Sequence, residues 1–144
     1  MRKKSVLRAS SDRVLRLLLQ FGGTVSLFAL VAVFMPYAWM DSIHRATGMG
    51  PLPSQPIVGY LARSLSLFYA LMGGLLLLCS FDIPRYWVLL RYLSIAFVFF
   101  GMVVLGIDYF EGMPDYWRRF EGPFVIAYGI AMTVLMLRSE KKIQ

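Results

Sequence analysis

Between Arg63 and Asp82 the chain carries eighteen consecutive residues without a charge. A helix needs about 20 apolar residues, rising ~1.5 Å each, to cross the ~30 Å of a bilayer's hydrocarbon. Gly59–Ser80 therefore reads as a transmembrane helix, and it constrains everything around it. Arg63 lies on that helix itself, within its first turns. A guanidinium there has to snorkel to the headgroups, reach water or pair with a carboxylate, because leaving it bare in lipid costs several kcal/mol.

Three more apolar runs have a similar length, and the composition agrees. Hydrophobic residues make up 58% of the 144, and charged residues 16%. A soluble domain has about 25% charged residues. The expected fold is an all-α integral membrane protein, a four-transmembrane-helix bundle forming a single domain over residues 1–144. Its spans are expected at about 14–35, 57–80, 86–108 and 121–137.

The N-terminal segment carries Arg2, Lys3, Lys4, Arg8, Arg13 and Arg16 against one acid, Asp12. Six cations could bind nucleic acid or anionic lipid. An apolar helix follows at once, so they read instead as a topological signal, and no nucleic-acid partner is expected. Ser10-Ser11-Asp12 is placed to cap that helix. Its apolar stretch exceeds the ~7–15 residues of a signal-peptide core, and no small-x-small cleavage site precedes the loop. An uncleaved anchor is expected.

Pro36 and Gly48 bracket a short interfacial helix over Tyr37 to Thr47, proline suiting a first turn and glycine a C-terminal cap. Asp41, His44 and Arg45 share one of its faces. They read as a polar side turned to water, or as a lid with His44 carrying protons. The proline-rich stretch up to Gln55 leads into the second span, where Ala62, Ser66, Ala70 and Gly74 recur every fourth residue. That pattern lets helices approach closely in lipid and is expected to be a helix contact. Residues 113–119 form a second expected interfacial helix, and Arg138, Lys141 and Lys142 stop the last span.

Charge assigns the sides. Segments 1–16, 81–91 and 138–144 hold eleven of the fifteen Lys/Arg and three of the eight acids. Positive residues are retained in the cytoplasm, so both termini are expected inside, in a bacterial inner (plasma) membrane. The outer half then gathers a candidate polar cluster of Arg63, Asp108, Glu121, His44, Tyr60, Ser64 and Tyr128. Glu121 and Tyr128, seven apart, share a helix face. Glu121 also stands where the positive end of a helix dipole favours an anion. An ionisable group inside a membrane is a functional hypothesis by default. Arg63 reads either as a structural clasp that ties helices through the two carboxylates, or as part of a ligand or proton site.

The motifs ARSLSLFYALMGG, GIDYFEGMP and EGPF, spread over four spans, resemble the DoxX-like group of small bacterial inner-membrane proteins over roughly residues 13–138. The resemblance implies a four-helix bundle and marks Arg63, Asp108 and Glu121 as polar positions. Redox roles proposed for some members of the group find no support, because one cysteine, Cys79, cannot run thiol exchange.

Nothing in the sequence forms a catalytic set: there is no HExxH, no Ser/His/Asp order and no phosphate-binding glycine loop. The single His44 rules out a histidine-rich metal site, and no particular cofactor is implied. Two classes of function fit. One is a non-enzymatic accessory, scaffold or lipid-like ligand-binding module in contact with the bilayer, with a membrane-protein partner or a second copy. The other is a membrane enzyme or proton-linked carrier using Asp108 and Glu121.

Overall fold

The computed structural model describes residues 2–140, with side chains from 11 to 139. Lys141 and Lys142 lie outside the described residues, as do the side chains of Arg2, Lys3, Lys4, Arg8 and Ser10. The regular structure of the described chain is all helical, without a strand. The elements are α1 (Arg2–Leu27), α2 (Leu30–Phe34), α3 (Tyr37–Ala46), α4 (Pro56–Phe81), α5 (Trp87–Phe110) and α6 (Asp115–Glu140).

Four stretches are long and apolar enough to cross a membrane: Ser11–Phe34, Pro56–Phe81, Trp87–Phe110 and Asp115–Ser139. Large apolar side chains such as Phe34, Phe81, Val88 and Phe99 stand exposed along them. Soluble proteins rarely leave apolar patches of this extent open. This is a multi-pass membrane protein.

Three features differ from the sequence reading. α1 begins at Arg2 and runs through Ser11 and Asp12, so these residues do not cap it. Asp12 instead accepts a hydrogen bond from the Ser139 hydroxyl. Residues 115–119 are not a separate helix but the first turn of α6, which continues through Pro123. One missing amide donor inside a long transmembrane helix is tolerated. As a result Asp115, and not Glu121, occupies the first turn, where the dipole favours an acid.

The third difference concerns the stripe of small residues. The chain divides into two compact units, Met1–Leu18 with Cys79–Gln144, and Leu19–Leu78. Within the second unit, α1 crosses α4 at Gly23 and Gly73. A Cβ on Gly73 would stand 2.6 Å from both the Gly23 carbonyl oxygen and the Leu27 amide nitrogen, whereas one on Gly74 would meet nothing within 4 Å. Ala62 and Gly74 are exposed and Ala70 is buried. Four residues turn a helix by about 400°, so a strict fourth-residue stripe drifts about 40° per step. Over three steps it leaves the contact, which passes instead through Ala70 and Gly73, with Leu77 against Gly23.

The first unit is built on an antiparallel seam between α5 and α6. Gly101 and Gly122 face each other there: a Cβ on Gly122 would lie 2.9 Å from the Gly101 carbonyl oxygen and 2.7 Å from Leu105 Cβ. Further along, Gly129 backs onto the Ser94 carbonyl in the same way. Packing at backbone distance is what holds helices together in lipid, where apolar burial supplies no net force. Leu15, Leu90, Leu93 and Met132 fill the unit's core.

Candidate functional site

Arg63 has its partners inside its own unit. Pro36 carries no amide hydrogen, and α3 starts afresh at Tyr37, so the carbonyls that end α2 have no helical donors. Arg63 Nε donates to the Val33 carbonyl at 3.1 Å, and Nη2 donates to that of Met35 at 3.1 Å. The side chain runs back over Gly59, where a Cβ would be 3.3 Å from Nη1. The guanidinium thus caps the first span, with its charge at the negative end of a helix. The clasp expected through Asp108 or Glu121 is, in its observed partners, a clasp on two carbonyls.

His44 belongs to a second structural device. Its Nδ1 lies 2.8 Å from the Gly50 carbonyl oxygen, which accepts, so the ring donates. On the same face Asp41 accepts the Leu52 amide at 2.7 Å and Arg45 Nε at 2.9 Å. Tyr37 donates to the Pro53 carbonyl at 2.6 Å. Gly48, at φ 77°, ends α3 as expected; Gly48 N bonds to Arg45 O and Met49 N to His44 O, the paired closure of a left-handed cap. Asp41 and His44 are thereby spent on pinning residues 50–52, while Arg45 on the same face stays exposed. The Leu52 amide, and after it Arg45, holds the Asp41 carboxyl below its ordinary range.

Asp108 is different. It is 4% exposed, and its Oδ2 is buried with no hydrogen-bond partner. Its backbone is fixed by the end of α5: Gly112 takes φ 67° and Met113 N returns to the Asp108 carbonyl at 2.9 Å. Gly101, Leu105 and Asp108 recur on the α5 face that meets Gly122, which places Asp108 at the end of the seam near the α5–α6 turn. Glu121 precedes Gly122, which packs against Leu105 about one turn before Asp108, so the two acids stand on neighbouring turns of the facing helices. Trp117, one turn earlier on the continuous α6, donates its indole N–H to Glu121. Arg118 is committed elsewhere, to Asp115 and to the face of Tyr109 at 5.1 Å.

Of the remaining candidates, Tyr128 belongs to the same unit as this pair, and Tyr60 and Ser64 to the other. Tyr128 lies on α6 but donates its hydroxyl to the Leu18 carbonyl at 3.2 Å and meets Phe97 edge-on at 5.3 Å. Tyr60 is exposed near the start of α4, and Ser64 is half-buried beside Arg63. Among the described residues no three His, Cys, Asp or Glu gather to hold a metal ion. The sequence contained one unused signal. Pro36 ends the helix before it and so leaves the last carbonyls without helical donors, and an intramembrane arginine is the natural group to replace them.

Comparisons with known protein families, with curated proteins and with solved structures give no match.

Proposed function

We propose that this chain is a non-enzymatic module of a bacterial inner membrane, with both termini cytoplasmic, that binds a small or lipid-like ligand at Asp108 and Glu121 in the outer half of the bilayer. It acts there as an accessory or scaffold protein. The unpartnered Oδ2 of Asp108 carries this reading. A buried polar atom without a partner costs about 1–3 kcal/mol, more if charged, and helix packing in lipid leaves little to offset it. Such an atom is explained by an occupant that supplies the donor. Arg63 and His44 are occupied by structural bonds, and among the described residues Asp108 Oδ2 is the buried side-chain oxygen that the fold leaves without a partner. The charge asymmetry between loops supports the topology. Membership of the DoxX-like group belongs to the same proposal and rests on the three motifs.

The test is native mass spectrometry of the full chain extracted in mild detergent. A retained mass in the wild type that is lost in Asp108→Asn supports the site. Equal spectra for the two proteins overturn it.

The proximity of the two carboxylates favours a second reading, a membrane enzyme or proton-linked carrier, because paired carboxyls in unlike surroundings can exchange protons. Proteoliposomes loaded with a pH dye separate the two. A carrier gives a proton flux that Asp108→Asn abolishes, and a binding module gives none.

A further inference from the structure

We propose that the ligand held by Asp108 and Glu121 is a primary ammonium group. The inference rests on the binding site proposed above and adds the chemistry of its occupant. Ionised carboxylates only accept hydrogen bonds, so whatever meets Asp108 Oδ2 has to donate. The neighbouring Glu121 draws one donor from Trp117 and keeps further acceptor capacity. Two acids on neighbouring turns of facing helices, with one free buried oxygen, match a compact cation with several N–H groups.

Other cations fit less well. Calcium takes about six to eight oxygens, and among the described residues no third acid, His or Cys joins the pair. A trimethylammonium group has charge but no hydrogen to give, and would leave Oδ2 as it stands. A guanidinium is a planar fork that matches both oxygens of one carboxylate, and only one oxygen of Asp108 is buried without a partner.

Depth points to the same chemistry. Asp108 lies two residues before the end of α5, and around the turn Tyr109, Phe110, Tyr116 and Phe120 stand exposed. Aromatic side chains of this kind mark headgroup depth. A primary ammonium reaches that depth in two ways, as the ethanolamine headgroup of a lipid or as a free amine arriving from water.

The experiment uses the full-length wild type in nanodiscs of phosphatidylcholine doped in turn with phosphatidylethanolamine and with its N-methyl and N,N-dimethyl derivatives. Native mass spectrometry reads which lipid stays bound. Loss of a charge-assisted hydrogen bond predicts that retention falls along the methyl series, by about tenfold from ethanolamine to choline headgroups. Asp108→Asn and Glu121→Gln should flatten the series, with helicity checked by circular dichroism. Displacement of the retained lipid by free ethanolamine identifies the headgroup as what is read. Retention that ethanolamine leaves unchanged identifies the intact lipid as the source, and both results keep the ammonium assignment. Equal retention of ethanolamine and choline lipids, still dependent on Asp108, overturns the ammonium and leaves the site. No Asp108-dependent adduct with any lipid or with ethanolamine overturns both.

Discussion

Arg63 donates from Nη2 to the Met35 carbonyl at 3.1 Å, and through this bond the second span closes the end of the first. Nε does the same for Val33. Pro36 creates the vacancy and the arginine fills it. Arg63→Ala should lower stability by about 2 kcal/mol, the scale of hydrogen bonds from a charged donor. Arg63→Lys keeps the charge but not the fork, and should recover less than half. Unfolding in mixed detergent micelles measures both. Wild-type stability in Arg63→Ala would remove the capping role.

The two adjacent glycines of α4 should respond in opposite ways. Gly73→Ala drives a methyl into the backbone of α1 and should cost about 1–3 kcal/mol. Gly74→Ala meets open space and should be neutral, or stabilising by up to ~1 kcal/mol through helix propensity. The same contrast holds on the seam between Gly122→Ala, which is crowded, and Gly106→Ala, which is not. Thermal unfolding of the four variants tests the crossings, and equal shifts within either pair would contradict them.

Much of the fold was legible because hydrophobic length is a strong signal. The spans from Pro56 and Trp87 match expectation within a few residues, and Gly48 caps α3 as its neighbours suggest. What was not legible was phase. A small-residue stripe read at every fourth position selects Gly74, while the helix, at 3.6 residues per turn, turns Gly73 to its neighbour. Continuity was the other gap. With proline at 114 and 123, α6 reads as two pieces, and the Trp117–Glu121 bond exists because it is one. Asp108 and Glu121 could be picked out as intramembrane acids. That Arg63 takes its partners from carbonyls follows from Pro36, whose effect lies in the backbone and not in the pattern of charges.

Asp41 should make the loop after α3 sensitive to acid. Its folded carboxyl sits below its ordinary value of 3.8, first because of the Leu52 amide and then because of Arg45. A depressed acid stabilises above that ordinary value and loses its effect as the pH falls through the folded one. Hydrogen exchange at Leu52, corrected for its intrinsic rate, should be slow at neutral pH and accelerate in strong acid. In Asp41→Ala it should be fast throughout. Protection that persists in Asp41→Ala would show that the loop is held by Tyr37 and His44 alone.

Cysteine labelling in intact cells checks the topology. Single cysteines at positions 50 and 115 should react with an impermeant reagent, and those at 5, 84 and 142 should not. Labelling of position 115 from the cytoplasm alone would reverse the charge assignment.

The most direct measurement is an experimental density map of the wild-type protein in nanodiscs of native lipid, read at Asp108 Oδ2. Density for a bound molecule is expected within ~3.2 Å of that oxygen, a hydrogen-bond distance. A map in which a protein donor fills the position, or in which Oδ2 stays dry and unpartnered in an intact fold, would contradict it.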